Sequence, residues 1–217
     1  MPALQLVLAS NNAKKLTELQ ALLADLPLAL LPQRALGISE AEEPHASFIE
    51  NALAKARHAA AASGGAALAD DSGVCVDALG GAPGVISAHY GGLVEPLSDR
   101  EADRETVRRL QDARNNQRLL ADLAAQPGAP RRAFFISTLV ALRHATDPQP
   151  LVAVGRWPGL ILEAPRGAQG FGYDPLMFIP ELGRSVAELD AGTKNGLSHR
   201  ARAMVSLREQ LREVWGL

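Results

Sequence analysis

The chain has 217 residues, 47% hydrophobic and 21% charged, and a net charge of -2 from 22 basic and 24 acidic residues. That length and composition fit one globular domain or two small lobes sharing a core, and the charge balance lacks the basic excess expected of a nucleic-acid partner. The lone Cys75 excludes an intramolecular disulfide and a cysteine-built zinc site, while the N-terminus lacks a signal-peptide pattern and no apolar run reaches membrane-spanning length, so the expectation is a cytoplasmic protein with no membrane partner.

Leu4 to Ala9 is a short apolar run ending in Ser10-Asn11-Asn12, which predicts a buried strand entering a turn. Leu16, Leu19, Leu22 and Leu23 follow at helical spacing, with Asn11 or Asn12 as the cap. Leu28 to Leu31 predicts a second strand. Ser47-Phe48-Ile49-Glu50 is a capping-box signature opening an Ala-rich helix to about Ala62, stopped by Gly64-Gly65. Ala66 to Ala69 predicts a strand that ends at Asp70-Asp71-Ser72-Gly73, with Val74 to Ala78 as another extended segment. Residues 98–125 predict a helix with Val107, Leu110, Leu119, Leu120 and Leu123 inward. Phe134 to Leu142 is rich in β-formers. Leu151 to Trp157 and Leu160 to Glu163 predict two strands around Pro158-Gly159. A glycine-rich loop covers 165–175, and Ser198 to Trp215 predicts a terminal helix with Ala201, Met204, Val205, Leu211 and Val214 inward. Alternating helices and strands, with strands also clustered at 134–163, indicate an α/β fold with a mixed sheet.

Four polar clusters interrupt these patterns. Ser10-Asn11-Asn12 with Lys15 lies at a strand-to-helix turn, where backbone N–H groups and the helix dipole suit phosphate. The bland alternative is a helix cap and a surface lysine. Glu42-Glu43 precedes the helix that carries Lys55, and alone indicates little beyond dipole complementation. Asp70-Asp71 places two carboxylates side by side, a pair that repels unless a cation is shared, and magnesium takes hard oxygen ligands of this kind. The alternative there is an Asp-rich turn. In the fourth cluster, Phe171 lies among Gly167, Gly170 and Gly172, followed by Tyr173 and Asp174, with Lys194, His199 and Arg200 downstream. An aromatic ring in a glycine loop can stack on a base, or the segment is simply a flexible loop ahead of a helix. A phosphate loop, a dinucleotide-binding glycine motif and a nucleophile elbow are all absent from the sequence.

Taken in order, LVLASNNAKKLTEL (6–19), EEPHASFIENALAKARHAA (42–60), ALADDSGVCVDALGGAPGVISAHYGG (67–92), FFISTLVALRHA (134–145), GFGYDPLMFIPELGRSVAEL (170–189) and SHRARAM (198–204) resemble the inosine triphosphate pyrophosphatase family. The resemblance spans nearly the whole chain. It implies one domain over 1–217, built as an elongated mixed β-sheet flanked by helices, in two lobes with the nucleotide between them, and usually homodimeric. Matched position by position, it makes Ser10, Asn11, Asn12 and Lys15 the triphosphate turn and Lys55 a phosphate contact. Glu43 and Asp70 become the Mg2+ ligands, Asp71 the catalytic acidic residue, and Ser72 a further substrate contact. Phe171, Gly172, Tyr173 and Asp174 match the base loop, and Lys194, His199 and Arg200 the remaining contacts. Residues 94–111 form a longer connection than is usual in that family. The implied reaction is hydrolysis of ITP, dITP or XTP to the monophosphate and pyrophosphate. Its rivals are a septum-associated triphosphate pyrophosphatase with another base preference and a nucleotide-binding regulator without turnover.

Overall fold

The computed structural model describes residues 4–95 and 101–217, with side chains from 104 onward in the second stretch. The predicted helix start at 98–100, and part of the 94–111 connection, lie outside the described residues. The elements are β1 (Leu4–Leu8), α1 (Ala13–Leu22), β2 (Leu28–Pro32), α2 (Phe48–Ser63), β3 (Ala66–Val76), α3 (Glu101–Ala124), β4 (Arg132–Leu142), β5 (Leu151–Ile161), β6 (Met177–Ile179), β7 (Arg184–Ser185), α4 (Ala191–Leu197) and α5 (His199–Trp215), joined in places by short 3₁₀ turns. One seven-stranded sheet has the order β2-β1-β3-β4-β5-β6-β7. It is mixed: β1 runs parallel to β2 and β3, and β6 runs antiparallel to β5 and β7. Among the described residues no helix is long and apolar enough to cross a membrane.

The chain divides into two compact units. The first comprises Met1–Ser72, Ser137–Arg156 and Asn195–Leu217. β1 from Leu6, β3 and β4 are buried on both faces through most of their length, and the two-residue period of a strand sorts their side chains. Leu6, Leu8, Ala66, Leu68, Leu139 and Ala141 meet Leu19 and Leu23 of the α1 region and Met204, Leu207 and Leu211 of α5. Their neighbours Val7, Ala9, Ala67, Ala69, Val140 and Leu142 meet Ala52, Ala56, Ala59 and Ala60 of α2. The second unit, Gly73–Ile136 with Trp157–Lys194, packs Val74, Val76, Phe135, Trp157, Tyr173 and Met177 with Leu119 and Leu123 of α3.

Three sequence expectations are corrected here. First, β3 does not end at the aspartates; it continues through Asp70-Asp71-Ser72-Gly73 to Val76. Gly73 makes this possible, because a Cβ there would lie 2.4 Å from Ser87 Oγ and 2.6 Å from Gly84 O. Second, Pro158-Gly159 is not a turn. Burial alternates without interruption along β5, with Pro158 outward and Gly159 inward, so the two predicted strands are one. Pro158 falls where the alternation leaves its ring exposed, and Gly159 lets β6 approach, since a Cβ would meet Phe178 O at 2.5 Å. Third, two predicted core residues are exposed: Leu110 of α3 and Val205 of α5. The buried stripe of α5 runs through Ala201, Met204, Leu207 and Leu211 instead.

Gly155 decides how closely α5 lies against β5. A Cβ there would stand 2.1 Å from His199 O and 2.4 Å from Ala203 N, both rigid helix backbone. Gly155→Ala is therefore expected to destabilise the protein by about 1–3 kcal/mol or more, read as a lower urea midpoint.

Candidate active site

The alternation that sorts the core also separates the two aspartates. Asp70 continues the side of Leu68 and faces the residues of α1 and α5; Asp71 continues the side of Ala69 and faces α2.

Asp70 is completely enclosed. Its Oδ1 accepts from Ser137 Oγ at 2.7 Å. Its Oδ2 lies 2.9 Å from Lys15 Nζ and accepts from Ser72 Oγ at 3.0 Å and Arg200 Nε at 3.1 Å. Arg200 extends the network, donating to Glu18 Oε2 and to Ser72 Oγ, each at 2.8 Å. Burial opposes ionisation of Asp70, but the charges of Lys15 and Arg200 outweigh it and hold the carboxyl well below the usual range. Burial is also the largest effect on Lys15, and with the nearby Arg200 and Lys55 charges it lowers that ammonium despite Asp70.

On the other side, one ammonium joins two carboxylates. Lys55 Nζ donates to Asp71 Oδ1 at 2.8 Å, to Glu43 Oε2 at 3.0 Å and to the Asp70 carbonyl at 3.2 Å. Asp71 Oδ2 is buried with no hydrogen-bond partner. Burial pushes the Asp71 carboxyl up to about 6, with the Glu43 charge adding and Lys55 opposing. Glu43 is lowered, because its Lys55 contact more than offsets burial. For Lys55 itself, the two acids overcome burial and raise the ammonium.

The expected pairing of Glu43 with Asp70 is therefore not the arrangement found. Strand alternation turns the Asp70 carboxylate to the opposite side, where Ser137, Lys15, Ser72 and Arg200 engage it. Glu43 shares its cation with Asp71. Arg200 and Ser72, expected as substrate contacts, take part in the Asp70 network. His199 is the buried first residue of α5.

A hard divalent cation fits the Glu43–Asp71 pair. Both offer carboxylate oxygens around Lys55 Nζ, and the buried Asp71 Oδ2 has no hydrogen-bond partner. Among the described residues no cluster of three or more His, Cys, Asp or Glu is assembled. Magnesium is commonly bound by one or two carboxylates, with water and phosphate completing its shell.

Asn12 caps α1, its Oδ1 accepting from Lys14 N at 3.0 Å and Lys15 N at 3.3 Å, while its own N–H donates to Ser10 Oγ at 3.2 Å. Asn11 lies in the same turn. The cap engages two of the N–H groups expected to face phosphate, leaving Lys15 as the turn's side-chain charge.

In the second unit, Phe171 to Asp174 form a tight turn in which Asp174 N–H donates to Phe171 O at 3.2 Å. Asp174 Oδ2 accepts from Phe171 N–H at 2.9 Å and from Lys194 Nζ at 2.8 Å. Lys194 Nζ also lies 4.5 Å from the centre of the Phe171 ring. Gly172 has φ +62, a left-handed conformation suited to glycine. Tyr173 is a core residue whose hydroxyl donates to Ser87 O at 2.9 Å, and its ring packs inside the unit. Sequence reading missed Glu18 and Ser137, which complete the Asp70–Arg200 network. The hydroxyls of Ser137-Thr138 inside the apolar run 134–142 were a usable signal for one of these.

A family model described as the Ham1 family matches residues 6–210. The dITP/XTP pyrophosphatase of Methylibium petroleiphilum is 64% identical over 212 residues, covering 98% of this chain and 99% of the relative. That of Leptothrix cholodnii is 60% identical, covering 99% and 100%. A solved structure of a HAM1 protein from Coxiella burnetii superposes with a TM-score of 0.85 at 41% identity, covering 97% of this chain and 100% of that one.

Proposed function

This chain belongs to the Ham1 family, and on that premise we propose that it hydrolyses deaminated purine nucleoside triphosphates (dITP, ITP and XTP) to the monophosphate and pyrophosphate. The observation that carries the chemistry is the buried, unpartnered Asp71 Oδ2 beside a lysine shared with Glu43. The names of the relatives support the substrate class.

Glu43 and Asp71 are the residues that would hold Mg2+, which when bound supplies positive charge to the triphosphate. Lys15 and Lys55 add fixed positive charge for the phosphate oxygens. Asp71 takes the proton of the attacking water; the new bond forms at the α-phosphorus, and the bond to the β-phosphate bridging oxygen breaks. The geometry of Asp71 suits this role, since one carboxylate oxygen is held by Lys55 and the other has no hydrogen-bond partner. Lys194 beside the Phe171 ring supports selection of a 6-oxo purine over adenine. An ammonium only donates, so it satisfies a purine 6-oxo group and opposes the amino group of adenine. A homodimer and a cytoplasmic location accompany this reading.

Incubation with ITP and Mg2+ is expected to give IMP and pyrophosphate, with EDTA abolishing turnover. IDP and orthophosphate as products would overturn the proposal. Tight ITP binding without hydrolysis would favour a regulator, and a preference for other bases would favour the septum-associated class.

A further inference from the structure

We infer that Asp112 and Asn116, one turn apart on α3, are positioning residues that hold the two peptides flanking Gly172 in the orientation that receives the base; the inference rests on the proposed function. The Gly172 N–H donates to Asp112 Oδ2 at 2.7 Å, and the Gly172 carbonyl accepts from Asn116 Nδ2 at 3.0 Å. The spacing of four residues sets both side chains on one helix face, so two adjoining peptides of the loop are clamped together.

The clamp is anchored on rigid structure. Leu119 and Leu123 fix α3 in the core of the second unit. The intervening Asn115 donates to Ser87 O at 3.2 Å and Ala88 O at 3.0 Å and accepts from Gly91 N–H at 2.8 Å. Sites set on packed helices are held more sharply than sites on loops.

The rest of the loop does not need this clamp. Arg166 N–H donates to Pro175 O at 2.9 Å, and Gln169 N–H donates to Ala187 O at 3.0 Å. Ser185 Oγ donates to Arg166 O at 2.7 Å. Within the loop, the α3 pair engages Gly172, beside the ring. Its orientation also has a cost. Asn116 Oδ1 is buried with no partner, and turning the amide over would set that oxygen against the Gly172 carbonyl.

The test is steady-state kinetics with ITP on the full-length protein. In Asp112→Ala and Asn116→Ala, KM is expected to rise at least about tenfold, with kcat within about threefold of the unaltered protein. Inorganic tripolyphosphate has no base, so its inhibition constant against ITP hydrolysis should not move. Asp112→Asn still accepts the Gly172 N–H and should restore KM. If either alanine variant does not fold, Asn116→Asp keeps the shape while setting an acceptor against the Gly172 carbonyl, and should raise KM in the same way. An unchanged KM, or a joint loss of kcat and tripolyphosphate affinity, would overturn the inference and leave the proposed function standing. An unaltered protein that leaves ITP intact would overturn both.

Discussion

Asp71→Asn should lower kcat for ITP by about 10²–10⁴-fold and, in the same protein, raise thermal stability at alkaline pH. Both effects come from one carboxylate. Its Oδ2 has no hydrogen-bond partner, and its proton is held up to about pH 6. The unfolded chain releases that proton near the ordinary 3.8. The group therefore favours the fold fully below about pH 3.8, and that contribution is lost as pH rises through about 6. At pH 8 the native carboxylate is ionised against the preference of its site, at a cost on the order of 1–3 kcal/mol. Asparagine removes that cost along with the base. In metal-free buffer the variant should melt about 2–4 °C higher per kcal/mol recovered, with the gain shrinking toward pH 5. Melting curves at pH 5 and 8, beside ITP turnover, check both halves. An active asparagine variant would mean that another group takes the proton.

Asp70→Ala has the larger effect on stability, with an expected loss of about 3–5 kcal/mol. The substitution leaves Arg200, only 3% exposed, and Lys15 facing an interior without the carboxylate between them. Urea unfolding should show a lower midpoint at an unchanged slope. Its pH signature is opposite to that of Asp71. The Asp70 carboxyl is held below its ordinary 3.8, so its contribution is present above that value and lost as pH falls toward the lower native one. The unaltered protein should thus lose stability on acidification below about pH 4, and the alanine variant should show little of that slope. Equal slopes would remove Asp70 from the network in energetic terms.

Local chemistry made much of this legible. The caps at Asn12 and Ser47, the Ala-rich helix and the sheet class follow from residues close in sequence. So does the presence of an acidic pair in need of a cation. The division of labour within that pair was misread, because it depends on which helix covers which side of β3. Arg200 lies 130 residues from Asp70, and no local pattern states that its guanidinium turns inward. Pro158-Gly159 carried strong turn chemistry, yet the exposed side of β5 tolerates the proline and β6 requires the glycine. Tyr173 looked like a ligand-facing aromatic beside Phe171, and only the packing of the second unit shows that it is core.

The continuity of β3 through its two aspartates gives the strand a parity that a length change would expose. Losing one residue upstream, without compensation, would bring Asp71 to the Arg200 side and Ser72 to the Lys55 side. The buried cations would keep a carboxylate, and the proton acceptor beside Lys55 would be lost. Gaining one residue would bring Ala69 to the Arg200 side and Asp70 to the Lys55 side. The proton acceptor would then be retained in a protein whose interior charges have lost their partner. The direction of the slip decides whether the proton acceptor or the partner of the interior charges is lost.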